Sequence, residues 1–149
     1  AGEWGHNQIP YFAAKKENFN SNSSREAEVE SFISGLAIAK RFNKIYGKNL
    51  KTNEIFELNR KHDLDAERFI DNFKLNLAMS LSTIINILDP DAFIFGGGVS
   101  NEIDFLSEIE SIVKKFVIGK EYDGVFLKPK YGDASGVRGA ARLGRRRTY

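Results

Sequence analysis

The sequence predicts an α/β domain, rich in helix and carrying a small, partly parallel sheet. Three observations predict it. Apolar residues recur at steps of three and four from Ala66 to Leu88, the signature of one long helix. Beyond that helix the pattern runs strand, helix, strand, helix, an order that favours parallel pairing. Only two clear strands are legible in 149 residues, so further strands of the sheet are expected in a partner segment.

The elements follow in order. Residues 1 to about 28 are loop-like, punctuated by Gly2, Gly5 and Pro10, and Asn18 to Ser24 is a polar run with turn chemistry. From Val29 the pattern turns helical. Phe32, Ile33, Leu36, Ala37 and Phe42 are expected on one buried face, with Gly47 as the stop. A short helix is expected from Asn53 to about Lys61, capped by Thr52. The long helix begins near Asp63 or Asp65 and ends at Pro90. At about 24 residues it would span roughly 35 Å. Its later part, Leu81 to Leu88, is apolar nearly all round and is expected to be buried. Ala92 to Phe95 reads as a short buried strand, and Gly96-Gly97-Gly98 follows at once. A helix from about Asp104 to Phe116 would turn Phe105, Leu106, Ile109, Ile112, Val113 and Phe116 inward. Val125 to Leu127 reads as a second strand. The loop Tyr131 to Gly136 leads into a last helix from about Val137 to Leu143.

Composition narrows the function classes. Apolar residues make up 42% and charged residues 28%, as in an ordinary globular domain. No apolar run reaches the roughly 18 residues a membrane span needs, and the first ten residues are too mixed and polar for a leader. A net charge of +2 is too small to point to nucleic acid or membrane. The basic cluster Arg142, Arg145, Arg146 and Arg147 has the form of a solvated tail, with a phosphate patch as the alternative. Cysteine is absent, which excludes disulfides and thiolate metal sites. The cytoplasm is the expected compartment. The chain opens on Ala1 rather than Met and is read as part of a longer or processed protein.

Four short segments could carry chemistry. In Ala1-Gly2-Glu3-Trp4-Gly5-His6, two glycines flank a carboxylate and an imidazole follows. Such a pair can grip vicinal hydroxyls, accepting from one and donating to the next. A turn with a surface Glu and a satisfied His would show the same spacing. Glu28-Val29-Glu30 has the acidic character of a helix N-terminus. Gly96-Gly97-Gly98 leaves a strand as a nucleotide-approaching loop would, or simply as a tight exit. It is not a Walker A motif, because no Gly-Lys-Ser/Thr follows. Gly132-Asp133-Ala134-Ser135-Gly136 fits a capped, close-packed helix start or a backbone against a nucleotide.

Taken in order, these segments resemble one family. Ala1-Gly-Glu-Trp-Gly-His-Asn with Pro10, Glu30-Ser-Phe-Ile-Ser-Gly, Asn86-Ile-Leu-Asp-Pro-Asp, Phe95-Gly-Gly-Gly-Val-Ser-Asn and Tyr131-Gly-Asp-Ala-Ser-Gly-Val-Arg-Gly-Ala-Ala resemble the ROK sugar kinases, in family order and spacing. The opening segment is most similar to the fructokinases, with N-acetylglucosamine kinases next. The resemblance implies a ribonuclease-H-like, actin-like ATPase fold of two lobes. This chain, 1–149, would be the C-terminal lobe, with a sugar-contact loop over 1–35 and a helical, nucleotide-facing part over 36–149. The N-terminal catalytic lobe would lie outside it.

The implied activity is ATP-dependent phosphorylation of a hexose such as fructose, with ATP and Mg²⁺ serving the intact enzyme. Glu3, His6 and Glu30 would contact the sugar. Gly96, Gly97, Gly98, Gly132, Asp133, Ser135 and Gly136 would contact the nucleotide. No catalytic residue is assigned, because the family's catalytic Asp precedes this segment. The family's zinc motif would place three cysteines at Ser21, Ser23 and Glu28, with the His as fourth ligand. Two hydroxyls do not replace two thiolates, so zinc is not expected. The intact protein is expected to be a homodimer without nucleic-acid or membrane partners. The alternative is the effector domain of a sugar-responsive ROK repressor.

Overall fold

The computed structural model describes residues 3–10 and 27–143. The Asn18–Ser24 run, with Ser21 and Ser23 in it, and Arg145 to Arg147 lie outside the described residues. The single helix expected from Val29 is two helices, α1 (Glu30–Ile33) and α2 (Gly35–Tyr46). Ser34 breaks them. Its backbone is extended (φ −72°, ψ 149°), and its hydroxyl accepts from the Ala37 amide at 3.4 Å, the geometry serine favours at a helix start. The break resets the helical phase. The buried stripe of α2 is Ile38 and Phe42, and Leu36 lies about 200° round the helix from Ile38. Leu36 is therefore 89% exposed, contrary to its expected place on the core face. Gly47 does end α2, in the left-handed conformation.

The next helix, α3 (Thr52–Arg60), starts one residue before its expected position. Thr52 is its first residue rather than its cap. The Lys51 amide donates to the Glu54 carboxylate at 2.6 Å, and the Thr52 hydroxyl donates to the Gly35 carbonyl at 2.5 Å, tying α3 to α2.

The long helix is α4 (Leu64–Leu88). Asp63 caps it by accepting from the Ala66 amide at 3.0 Å, and Asp89 closes it in the left-handed region ahead of Pro90. Phe69, Ile70, Phe73, Leu77, Leu81 and Ile85 are buried along it. Its last turn is not buried all round as expected. Ile87 and Leu88 are 79% and 70% exposed, because the described chain covers only one flank of that turn.

After α4 come β1 (Ala92–Ile94), α5 (Gly98–Glu102), α6 (Leu106–Val113), β2 (Val125–Leu127) and α7 (Ser135–Leu143). The strands pair in parallel, with Phe93 opposite Phe126. Strand alternation turns Phe126 inward and leaves Ala92, Ile94, Val125 and Leu127 exposed. The strand expected to be buried is therefore covered on one face only. The helix expected over Asp104 to Phe116 is shorter at both ends, and Phe116 stays at the surface. The loop expected after the glycine triplet contains α5, and α7 starts two residues before its expected Val137.

The core forms where α3 and α6 pack against α4. Phe56, Phe73 and Phe105 meet there with ring centroids 6.2 to 6.3 Å apart. At its edge the Lys74 ammonium sits over the Phe105 ring and donates to Glu108 at 2.8 Å and to Asp71 at 3.4 Å. Burial pushes the lysine pKa down, but the bonds to Glu108 and Asp71 outweigh it and hold it above its ordinary value. A second, smaller cluster of Ile9, Val29, Phe32 and Met79 fixes the N-terminal segment onto α4.

Gly124 marks a close approach rather than a turn. A Cβ there would lie 2.6 Å from the Pro90 carbonyl oxygen and overlap the Tyr122 phenol. The Tyr122 hydroxyl donates to that same oxygen at 2.6 Å, linking the end of α4 to the entry of β2. Gly124→Ala is expected to break this bond and to cost about 2–3 kcal/mol. Urea denaturation measures it, and a loss below about 0.5 kcal/mol would rule the close contact out.

Candidate functional site

Two neighbouring regions collect the candidate residues. The first is a 3₁₀ turn, Trp4–His6, preceded by Glu3. It is held against the segment ahead of α1 by a short antiparallel bridge between Gln8 and Glu28. The Val29 amide donates to the Asn7 carbonyl and the Ile9 amide to the Ala27 carbonyl, both at 2.8 Å. Across this bridge His6 Nδ1 meets Glu28 Oε2 at 3.1 Å. The backbone of Gly5 faces Glu30, for a Cβ on Gly5 would touch the Glu30 Cβ at 3.4 Å. The turn and the start of α1 thus bring Glu3, His6 and Glu30 together, all three exposed. Glu3 also borders a groove of about 500 Å³ floored by Ile84, Ile87 and Leu88 of α4.

The electrostatics of this cluster are one-sided. The hydrogen bond to Glu28 and the Glu28 charge raise the His6 pKa. Slight desolvation opposes them, and Glu30 and Glu3 add to the rise.

The second region is a pocket of about 470 Å³ between the starts of α2, α3 and α5. Gly35, Leu36, Thr52, Asn53, Gly98 and Glu102 are among its walls. Of the glycine triplet only Gly98 lines it. Gly97 (φ 85°, ψ 175°) makes the turn into α5 in a conformation reserved for glycine, and Gly96 is exposed beside it. The Ser100 hydroxyl returns to the Gly97 carbonyl at 2.6 Å and fixes the turn. Arg60 pairs with Glu102 at 3.2 Å and holds α3 to α5.

The late loop lies alongside. Residues Gly132–Ala134 form a 3₁₀ turn that touches α5, so Gly132 is near the glycine triplet. Gly132 is left-handed (φ 53°). The Ser135 hydroxyl is buried and has no hydrogen-bond partner among the described residues. Gly136 is exposed, in α7, and the Asp133 side chain lies outside what is described. Arg138 stacks over the Tyr131 ring at 3.9 Å.

Sequence reasoning missed part of both regions. In the sequence Glu28 has the place of a helix-start acid or of a lost cysteine, and only the fold shows it against His6. Gly35 ends the Glu30–Gly35 motif, but no sequence pattern marks Thr52, Asn53 or Glu102 as its neighbours. Among the described residues no group of three His, Cys, Asp or Glu side chains is placed to hold a metal ion. The His6–Glu28 pair offers two donors, short of a zinc set.

These segments can be compared with known proteins as a whole. The ROK family profile matches residues 1–147. The chain belongs to the ROK family. An N-acetyl-D-glucosamine kinase from Mannheimia succiniciproducens is 34% identical over 150 residues, covering 96% of this chain and 49% of that protein. Its counterpart from Photobacterium profundum is 32% identical over 148 residues with the same coverage. The chain thus spans about half the length of the curated relatives it matches.

Among solved structures, a ROK hexokinase from Thermus thermophilus superposes with a TM-score of 0.77 at 21% identity, over 96% of this chain and 47% of that one. A ROK glucokinase from Streptomyces griseus, in complex with glucose and AMPPNP, gives 0.76 at 23% identity, over 97% and 51%. The ROK kinase fold, actin-like and here helix-rich with a small parallel sheet, is the one the resemblance implied. Fructose finds no support in these names. No helix among the described residues is long and apolar enough to cross a membrane.

The His6–Glu28 pair has a definite pH signature. A raised imidazole pKa means that the charge-assisted part of the pair contributes fully below the unfolded value of 6.5 and is lost as pH rises through the higher folded value, which leaves a neutral hydrogen bond. The His6 ring protons are expected to titrate above 6.5, and Glu28→Gln should return the midpoint toward it. An NMR titration measures both, and equal midpoints in the two proteins would contradict the pairing.

Proposed function

We propose that the intact protein is an ATP-dependent sugar kinase and that this chain is its C-terminal portion. Residues 1–35 supply the sugar contacts Glu3, His6 and Glu30. Residues 36–149 supply the nucleotide contacts Gly96, Gly97, Gly98, Gly132, Asp133, Ser135 and Gly136. The observation that carries this reading is the path through α1. Glu30 starts α1 beside the Glu3–His6 turn, and Gly35, just past its end, is a wall of the Gly98 pocket. The four residues of α1 span about 6 Å. A sugar at one end and a nucleotide at the other would be neighbours, as direct phosphoryl transfer demands.

In that reaction a sugar hydroxyl attacks the γ-phosphorus, the bond from γ-phosphorus to the bridging oxygen breaks, and ADP leaves. Such transfer depends on positioning and on charge stabilisation. Glu3, His6 and Glu30 hold the hydroxyls, and the glycines give the nucleotide room to lie against backbone. The group that takes the hydroxyl proton lies outside this chain. Mg²⁺, when bound in the intact enzyme, would neutralise charge on the phosphates. We place the intact enzyme in the cytoplasm as a homodimer, on the family resemblance.

Membership in the ROK family and relatives named as N-acetyl-D-glucosamine kinases support this activity. They favour an N-acetylated hexosamine over fructose. In the full-length protein, Glu3→Ala is expected to lower kcat/KM for the sugar about 10- to 100-fold, with the KM for ATP unchanged. A coupled ADP assay with N-acetyl-D-glucosamine, glucose and fructose checks this. Sugar kinetics identical to the parent enzyme would remove Glu3 from the site.

A further inference from the structure

The partner of His6 decides which way its outer nitrogen can hydrogen-bond. A carboxylate only accepts, so the 3.1 Å contact between His6 Nδ1 and Glu28 Oε2 requires the proton on Nδ1. In the neutral ring Nε2 is then left bare and is an acceptor. We propose that Glu28 is a positioning residue of the sugar site, and that by fixing the Nδ1–H tautomer of His6 it makes Glu3, His6 and Glu30 a cluster of acceptors matched to the hydroxyl donors of a neutral polyol.

Glu28 is built for this task. Its backbone is paired with Gln8 in the bridge. Its carbonyl accepts from the Ser31 amide at 3.0 Å and from the Ser31 hydroxyl at 2.7 Å. Val29, its neighbour, is 1% exposed in the smaller core cluster. The Glu28 side chain is itself only 22% exposed, against 62% for His6. The carboxylate is thus the fixed member of the pair and the imidazole the member that reaches solvent. A ring held at Nδ1 loses both its tautomeric and its rotational freedom, so Nε2 has one direction and one role. Glu3 and Glu30 accept too, and no cationic donor is among the groups that shift His6. The ligand that satisfies such a cluster brings several hydroxyls of its own and no negative charge.

This rests on reading the Glu3–His6 turn as a sugar site, and the test separates the two. In the full-length protein the His6 ring nitrogens are identified in long-range ¹H–¹⁵N correlation as the signals that a His6→Asn variant loses, and those of His62, the other histidine of this chain, in the same way. At a pH above the His6 midpoint, the parent protein is expected to show Nδ1 protonated and Nε2 bare in His6. Glu28→Gln offers an amide that can donate as well as accept, and His6 should move toward the Nε2–H form while His62, paired with Glu67, keeps its signals. With N-acetyl-D-glucosamine as substrate, the same variant should raise sugar KM roughly ten-fold with kcat unchanged. A His6 tautomer that Glu28→Gln does not alter would overturn the positioning role whatever the kinetics. An altered tautomer with unaltered sugar KM would leave Glu28 holding His6 but remove both from sugar binding, which overturns the proposal at its second step.

Discussion

The burial of α4 is the constraint on which the rest depends. Among the described residues, α1, α3 and α6 all pack against this helix. Phe69, Ile70, Phe73, Leu77, Leu81 and Ile85 bury along it, and each such side chain contributes about 1.5–3 kcal/mol on leaving water. Helices of four to twelve residues, such as α1 to α3 and α5 to α7, would not persist alone. Packed on α4 they become a frame. The starts of α2, α3 and α5 face one another across the Gly98 pocket because α3 is fixed to α4 through Phe56 and Phe73 and passes that position to α5 through Arg60 and Glu102.

The N-terminal turn is fastened more lightly. Ile9, Val29, Phe32 and Met79 make a small satellite of the core, and Arg41 lies over the Phe32 ring at 4.2 Å. Two backbone hydrogen bonds and the His6–Glu28 pair do the rest. Glu3, His6 and Glu30 are therefore carried on a surface whose position is set by four buried side chains. The break at Ser34 serves both regions. It ends α1 so that Glu30 can face the turn, and it restarts the helix so that the Gly35 carbonyl can accept from Thr52.

What the sequence made legible is what local pattern decides. Long apolar periodicity placed α4, with Asp63 and Pro90 as its ends. Two short apolar runs placed both strands. Where the outcome depended on a partner, pattern fell short. Leu36 and Leu88 are apolar at plausible core spacing, but burial needs a second surface, and the described chain provides none for them. Ser34 could not be told from a mid-helix serine until its hydroxyl found the Ala37 amide. The candidate sugar residues were legible as a family motif, and the structure added their neighbourhood. Glu28 is the clearest case of what spacing hides, because it lies 22 positions from His6 and meets it only through the Gln8–Glu28 bridge.

Exposure sets a last condition on the proposed activity. Hydrogen bonds to a sugar compete with water at every hydroxyl, and exposed charges are screened so that each is worth little. Glu3, His6 and Glu30 are all exposed on this chain, as are Gly96, Gly97 and Gly98. A site in that state selects by geometry but holds weakly. Excluding water would strengthen every contact at once, since the same carboxylates act through a lower dielectric. Among the described residues the groove beside Glu3 is open, floored by the exposed Ile87 and Leu88. For the proposed kinase, the proton acceptor comes from the part of the protein outside this chain, and a surface closing over the cluster from there would act on binding and chemistry together. Binding and chemistry would be coupled by that closure, with this chain presenting the substrates and the other part completing the site around them.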